Sequence, residues 1–306
     1  MSLADLVAEE LAEPVDPRVG ALAAAVAARH PGARGVLFYG SCLRQTTFDG
    51  ALLDFYLIVA DYGRAFGKRW LALANRLLPP NVFPIEADGL AAKYAVLSEA
   101  DFRRLASTET RNVSVWARFA QPSRLVWVAD EAARRLVVAA VAGAAPALLL
   151  ATRPRLPDRM PLLDMWRQAF ALTYRAELRA ERRGRATTLV EPFVDRYRRF
   201  SGPALTAAGI DATISHGFIT FEAIVTPAER RRGKRAWARR RREGKALTIL
   251  RLVKASATWS GGIDYLAWKI GRHAGQPVTI KPWQRRWPVL GAMVLLPKLV
   301  VRGAIR

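Results

Sequence analysis

Two short apolar runs separated by a glycine turn constrain this chain more than any other feature. The first run, Val36–Tyr39, ends in Gly40-Ser41, and Asp54 opens the second run, Phe55–Val59. Apolar runs of this length bounded by turn residues predict two buried, neighbouring strands. A glycine in the turn lets backbone N–H groups approach a phosphate, and the serine adds a hydroxyl donor. A strand aspartate can then hold a divalent metal against the same phosphate.

A Gly-Ser turn followed by an aspartate on the next strand resembles the polymerase-β-like nucleotidyltransferases. Most members of that superfamily carry a second carboxylate two residues after the first, on the same face of the strand. Tyr56 occupies that position here. The residues alone therefore leave two other interpretations open: an inactive enzyme, or a strand aspartate that only ends a turn.

Four later segments narrow the resemblance. In chain order they are Lys93–Ser98 (KYAVLS), Trp116–Pro122 (WARFAQP), Leu172–Arg179 (LTYRAELR) and Val190–Tyr197 (VEPFVDRY). In this order they resemble the mitochondrial-type CDP-diacylglycerol synthases, the translocator assembly and maintenance family, over residues 36–277. Members of that family also lack the second strand aspartate. Ala95 and Arg175-Ala176-Glu177 depart from the family's pattern, and these departures leave the details of a lipid pocket open.

The resemblance implies an α+β fold in three parts. Residues 1–130 would form a polymerase-β-like nucleotidyltransferase domain with a mixed sheet. From Asp130 the pattern becomes Ala-rich and helical, so a mostly helical domain is expected over residues 131–228, with a winged-helix-like arrangement as one candidate. Residues 229–306 would form a basic amphipathic region that docks on a membrane.

Local signals predict several elements. Pro14 and Pro17 should divide residues 3–29 into two helices, and Ser98 should cap a helix that contains Asp101. Residues 125–129 read as a strand, and Ser201-Gly202-Pro203 reads as a turn. The charged run 229–245 fits either a solvated helix, a disordered linker or a functional basic patch.

The resemblance also assigns roles to individual residues. Asp54 would bind Mg²⁺ or another divalent metal, and Gly40, Ser41, Lys93 and Arg118 would hold the phosphates of CTP. With Asp54, Lys93 and Arg118 would be the catalytic residues.

Other acidic residues have two interpretations each. Asp61 and Glu86 are candidate metal ligands, with Asp88 as an alternative to Glu86, but each also fits a turn or a solvated loop. Glu177 and Arg179 match an acid and a base of the family's second-domain segment, and they equally fit an ion pair on a helix surface.

The charge distribution points to an anionic partner. The formal net charge is +22, and residues 227–306 contain 20 Lys or Arg against three acidic residues. Trp268 and Tyr265 accompany an apolar face formed by Ile263, Leu266 and Ile270, as at a water–lipid boundary. The apolar stretch Val289–Val301 has no use in binding nucleic acid, so an anionic membrane is the expected partner.

The expected function is that of a phosphatidate cytidylyltransferase, which converts CTP and phosphatidate to CDP-diacylglycerol and pyrophosphate. The alternatives are a nucleotidyltransferase acting on RNA ends or a small molecule, and a non-enzymatic basic protein that binds RNA or membranes. The acidic N-terminus predicts no signal peptide, and Leu136–Leu150 is expected to be buried or interfacial, which places the protein in the cytoplasm at the inner face of the cell membrane. The single cysteine, Cys42, is either a small residue packed beneath the turn or a reactive thiol.

Overall fold

A five-stranded mixed sheet forms the centre of the structure, a computed structural model that describes residues 1–45, 47–48, 50–177, 189–258 and 280–283. Its strands are β1 (Ala33–Tyr39), β2 (Leu52–Val59), β3 (Asn81–Ala87), β4 (Leu90–Ser98) and β5 (Ser123–Val128). They lie in the order β3-β4-β2-β1-β5, with β2 and β4 parallel and the other pairs antiparallel. The α+β class and the mixed sheet are thereby confirmed.

Strand β2 is buried on both of its faces, which explains why its sequence is continuously apolar after Asp54. Side chains alternate along a strand, so Asp54, Tyr56 and Ile58 face one side of the sheet and Phe55 and Leu57 face the other. The two sides belong to two separate apolar clusters.

In the described part of the chain, three helices cover the Phe55 side of the sheet. This layer consists of α2 (Pro17–Ala28), α3 (Tyr62–Ala65) and α4 (Arg69–Leu77). The predicted division of residues 3–29 is confirmed, because α1 (Leu3–Ala12) ends before Pro14 and α2 begins at Pro17 with Asp16 as its N-cap.

The Tyr56 side is covered by helices from both halves of the chain. They are α1, α5 (Glu99–Leu105), α6 (Trp116–Phe119), α7 (Glu131–Ala142), α8 (Ala144–Thr152), α9 (Leu162–Tyr174) and α10 (Val194–Ala207). One apolar cluster joins Tyr56 to Trp166 and Tyr197, so packing is continuous across Asp130. Ser98 caps α5 as predicted, because its hydroxyl accepts from the Asp101 amide at 3.2 Å.

One local expectation for the second half fails. The turn predicted at Ser201-Gly202-Pro203 is wrong, because α10 runs through it. Phe200, Ala204 and Leu205 are buried along this helix, and their packing outweighs the cost of an internal proline. The second half also contains a small antiparallel sheet. Its strands are β6 (Arg159–Pro161), β7 (Ala212–Ser215) and β8 (Phe218–Phe221), in the order β6-β8-β7.

Within the described residues, one helical stretch, Glu131–Arg155, has the length and apolar composition needed to cross a membrane. More than half of its most apolar window, 56%, is buried inside the protein, and α8 is almost entirely buried. A core helix passes the same test, so the stretch is weak evidence for a span. Its burial agrees with the expectation for Leu136–Leu150.

The charged run that follows the small sheet is a long helix, α11 (Pro227–Thr258), and not a disordered linker. Its 32 residues correspond to a length of about 48 Å. Trp237 is 1% exposed and donates to the carbonyl of Ala151 at 2.8 Å. Gly233 packs so closely on Pro154 that an added Cβ would lie 2.7 Å from the proline's own Cβ. The helix is therefore anchored on the rest of the protein along one side.

Candidate active site

The Gly-Ser turn and the strand aspartate meet at one corner of the sheet. Tyr39, the last residue of β1, is the register partner of Asp54 on β2. Gly40 follows with φ 97° and ψ −160°, a conformation that is essentially restricted to glycine. A Cβ on Gly40 would lie 3.4 Å from Oδ2 of Asp54, so the absence of a side chain keeps the carboxylate accessible. Ser41 begins a short 3₁₀ turn and is exposed beside it.

Lys93 is paired with the same aspartate. It occupies the register position opposite Asp54 on the parallel strand β4, and its Nζ lies 3.1 Å from Oδ1 of Asp54. The two side chains are 30% and 23% exposed, so the pair is accessible to a ligand from solvent. A ligand phosphate that reaches this corner would meet a lysine and a carboxylate that already neutralise each other.

Tyr56, at the position of the missing second carboxylate, orients an arginine. Nη1 of Arg118 on α6 donates to the Tyr56 hydroxyl at 3.0 Å. Its guanidinium carbon lies 5.1 Å from the ring centroid of Tyr39 and 5.8 Å from that of Tyr56. Burial alone would lower the pKa of Arg118, but the surrounding tyrosines, Glu177 and Asp54 outweigh it and raise that pKa above its ordinary value. The role of Tyr56 was not predicted from the sequence.

Two residues from the second half of the chain reach the same region. Glu177 interacts electrostatically with Arg118, so the structure brings this predicted second-domain residue to the sheet. Arg251 of α11 interacts with Tyr56, Glu177 and Arg118. No sequence motif singled out Arg251, because it lies in a helix whose composition reads simply as basic. Arg179, the predicted companion of Glu177, lies outside the described residues, as do the predicted amphipathic face and Val289–Val301.

The structure does not bring the other candidate metal ligands to Asp54. Asp61 lies beyond the opposite end of β2, seven residues or roughly 20 Å along the chain, where it caps α3 by accepting from the Arg64 amide at 3.0 Å. Glu86 is exposed on β3, which is separated from β2 by β4. Asp88 lies in the turn after β3 with a positive φ of 50°. Each of these acids has a local structural explanation.

The contacts of Cys42 and Arg196 indicate structural roles for both residues. Cys42 is buried beneath the turn, where its thiol donates to the carbonyl of Leu52 at 3.7 Å. Burial, followed by the nearby Asp54 carboxylate, raises the pKa of this thiol, which disfavours the reactive thiolate. Arg196 pairs with Glu10 of α1 and donates to the carbonyl of Ala120 at 3.0 Å, so it joins the two halves of the chain.

The donor set around Asp54 suits one kind of metal site only. Among the described residues, no group of three His, Cys, Asp or Glu side chains could enclose a metal ion. Mg²⁺ is commonly held by one or two carboxylates, with substrate phosphates and waters completing the octahedron. Asp54 fits such a site if the ligand supplies most of the oxygens, and it does not fit a cage made by the protein alone.

No protein-family model matches the chain, and a search of curated proteins finds none that is significantly similar to it. A function for this chain must therefore be inferred from its own residues.

Proposed function

We propose that this chain is a metal-dependent nucleotidyltransferase, and that its reaction is phosphatidate cytidylyl transfer. In this proposal residues 1–130 form the nucleotidyltransferase domain, and CTP plus phosphatidate yields CDP-diacylglycerol plus pyrophosphate. The observation that carries the proposal is the convergence of Gly40, Ser41, Asp54, Lys93 and Arg118 at one corner of a mixed sheet. A phosphate-accessible turn, one carboxylate and two cations together suit a nucleoside triphosphate.

Each residue has a role in the proposed reaction. The turn at Gly40 and the hydroxyl of Ser41 bind phosphate oxygens. Lys93 exchanges its contact with Asp54 for one with the triphosphate, and Arg118 adds a second cation. Asp54 would hold Mg²⁺ on the protein side, and the metal would supply charge neutralisation to the triphosphate.

The acceptor explains why a single strand carboxylate is sufficient. A phosphatidate oxygen attacks the α-phosphorus of CTP in line; the new P–O bond forms as the bond to the β-phosphate oxygen breaks and pyrophosphate leaves. The second pKa of a phosphate monoester is about 6, so this nucleophile is already ionised near neutral pH. A general base at the position of Tyr56 is therefore unnecessary.

The basic helix suits an acceptor in an anionic membrane. Exposed cations follow α11 from its first turns: Arg231, Arg232, Lys234, Arg235, Arg239, Arg242 and Lys245. Each Lys or Arg near an anionic lipid surface contributes about 1 kcal/mol of binding. In this proposal the protein is peripheral, at the cytoplasmic face of the membrane.

One assay tests the reaction directly. Full-length protein is incubated with radiolabelled CTP, Mg²⁺ and vesicles with or without phosphatidate, and label is counted in the chloroform phase. We expect label only when phosphatidate is present. Thermal stabilisation by each nucleotide with Mg²⁺ provides a second measurement. Stronger stabilisation by ATP than by CTP, with no chloroform-soluble label, would refute the cytidylyltransferase and favour a nucleotidyltransferase with another acceptor.

A further inference from the structure

Two arginines from distant parts of the chain converge on Tyr56. Arg118 donates to its hydroxyl, as described above. Arg251 donates through Nε to the carbonyl of Pro79 at 2.8 Å and through Nη1 to Oγ of Ser114 at 3.0 Å. Ser114 lies just before α6, the short helix that carries Arg118. Arg251 is therefore held against the segment that leads into α6, and the charge of Arg118 acts on it.

Among the residues that the structure describes, positive charge exceeds negative charge in this cluster. The hydrogen-bond partners of Arg118 and Arg251 are neutral oxygens, and neither forms an ion pair with a carboxylate in the part of the chain that the structure describes. Glu177 is the carboxylate that interacts with both, while Asp54 is paired with Lys93. Burial lowers the pKa of Arg251, and the charge of Arg118 acts in the same direction. Two half-buried like charges are costly unless a counter-ion joins them.

We propose that Arg251, together with Arg118, which it shares with the triphosphate, forms an anion site for a phosphate monoester, the headgroup of the acceptor, next to the Asp54–Lys93 corner that receives the nucleotide. This assignment rests on the proposed function and names how the acceptor is held. Tyr56 is two residues from Asp54 on the same strand face, about 7 Å along β2, so the acceptor phosphate lies beside the triphosphate. A planar guanidinium can bind a phosphate through two parallel N–H bonds, which a lysine cannot do.

Lys254, one turn further along α11, provides a comparison that distinguishes phosphate binding by Arg251 from the attachment of α11 to the rest of the protein. Lys254 donates from Nζ to the carbonyl of Pro80 at 2.8 Å and to that of Leu78. Like Arg251, Lys254 ties α11 to the loop before β3 through backbone carbonyls. The charge that acts on Lys254 is that of Arg251. Lys254 is therefore a matched control for the anchoring contacts.

The experiment compares Arg251→Met with Lys254→Met in the full-length protein. Binding of inorganic phosphate is measured by calorimetry, and KM is measured separately for CTP and for phosphatidate in vesicles. We expect Arg251→Met to weaken phosphate binding and to raise the phosphatidate KM by at least tenfold, because the hydrogen bonds between a charged guanidinium and a charged phosphate are lost. The CTP KM should stay within about twofold, because Arg251 is proposed to contact the acceptor and not the nucleotide. Lys254→Met should change neither the binding of inorganic phosphate nor the KM for either substrate.

The outcomes separate the anion site from the proposed reaction. Equal effects of the two substitutions, or no phosphate binding by the unsubstituted protein, would overturn the site even if cytidylyl transfer is observed. Phosphate binding that depends on Arg251 in a protein that transfers no cytidylyl group would keep the site and overturn the reaction. If Arg251→Met unfolds, Arg251→Lys keeps the charge and the helix contact; it should still bind phosphate more weakly, and unchanged binding would overturn the site.

Discussion

Replacement of Gly40 by alanine tests the geometry of the turn most directly. At φ 97° and ψ −160° an L-residue is strained by about 1–3 kcal/mol. The added Cβ would lie 3.4 Å from Oδ2 of Asp54, which is ordinary contact, so backbone strain supplies most of the cost. Taking about 2 kcal/mol, and about 2–4 °C per kcal/mol for a chain of this size, Gly40→Ala should lower Tm by roughly 4–8 °C.

Two other glycines calibrate that measurement by scanning calorimetry. Gly20 lies within α2 with nothing within 4 Å of an added Cβ, so Gly20→Ala should leave Tm unchanged or raise it by an amount equivalent to about 0.5–1 kcal/mol. Gly209 has φ 63° and equally open surroundings, so Gly209→Ala should cost about 1 kcal/mol. The expected order of Tm is therefore Gly20→Ala, unsubstituted protein, Gly209→Ala, Gly40→Ala. A Gly40→Ala protein at least as stable as Gly209→Ala would refute the reasoning.

Three further predictions concern single residues. Asp54→Asn should leave the fold intact and reduce metal-dependent turnover by at least about a hundredfold, since charge stabilisation at a metal site contributes several kcal/mol; turnover within a few-fold would remove Asp54 from the mechanism. Glu10→Gln should lower urea-derived stability by about 3 kcal/mol, because Arg196, 10% exposed, keeps a buried charge without its carboxylate; a loss below about 1 kcal/mol would contradict this. Burial lowers the pKa of His30 below 6.5, so the unfolded chain takes up the proton first and stability should fall as pH drops below that value. His30→Gln should flatten this dependence in denaturation curves between about pH 7 and 5, and an equal slope would count against it.

Local rules predict the corner of the site well. Apolar runs, a glycine turn and the spacing to Asp54 follow from the sequence because each depends on neighbours along the chain. The capping of α5 by Ser98 is of the same kind. Asp61 shows the limit of such rules: its place beyond β2 suggested a ligand, whereas the same position made it the cap of α3.

The rest of the cluster depends on contacts that sequence spacing cannot show. Arg251 reaches Ser114 across 137 residues and Pro79 across 172. The pairing of Arg118 with Tyr56 depends on how a four-residue helix packs on the sheet. The prediction of a turn at residues 201–203 was wrong because the conformation there depends on the burial of neighbouring side chains, which local sequence does not show.

The anchoring of α11 also sets an order of events during synthesis. Every strand of the central sheet has been translated by residue 128, but Arg251 and Lys254 bind the loop before β3 from more than 120 residues later. At about 5–20 residues per second a ribosome needs several seconds to make that interval. During that time α7 to α10 complete the cover of the Tyr56 face, and the loop before β3 still lacks its contacts with α11. Chaperones that bind exposed apolar surface would meet the nascent protein in this interval.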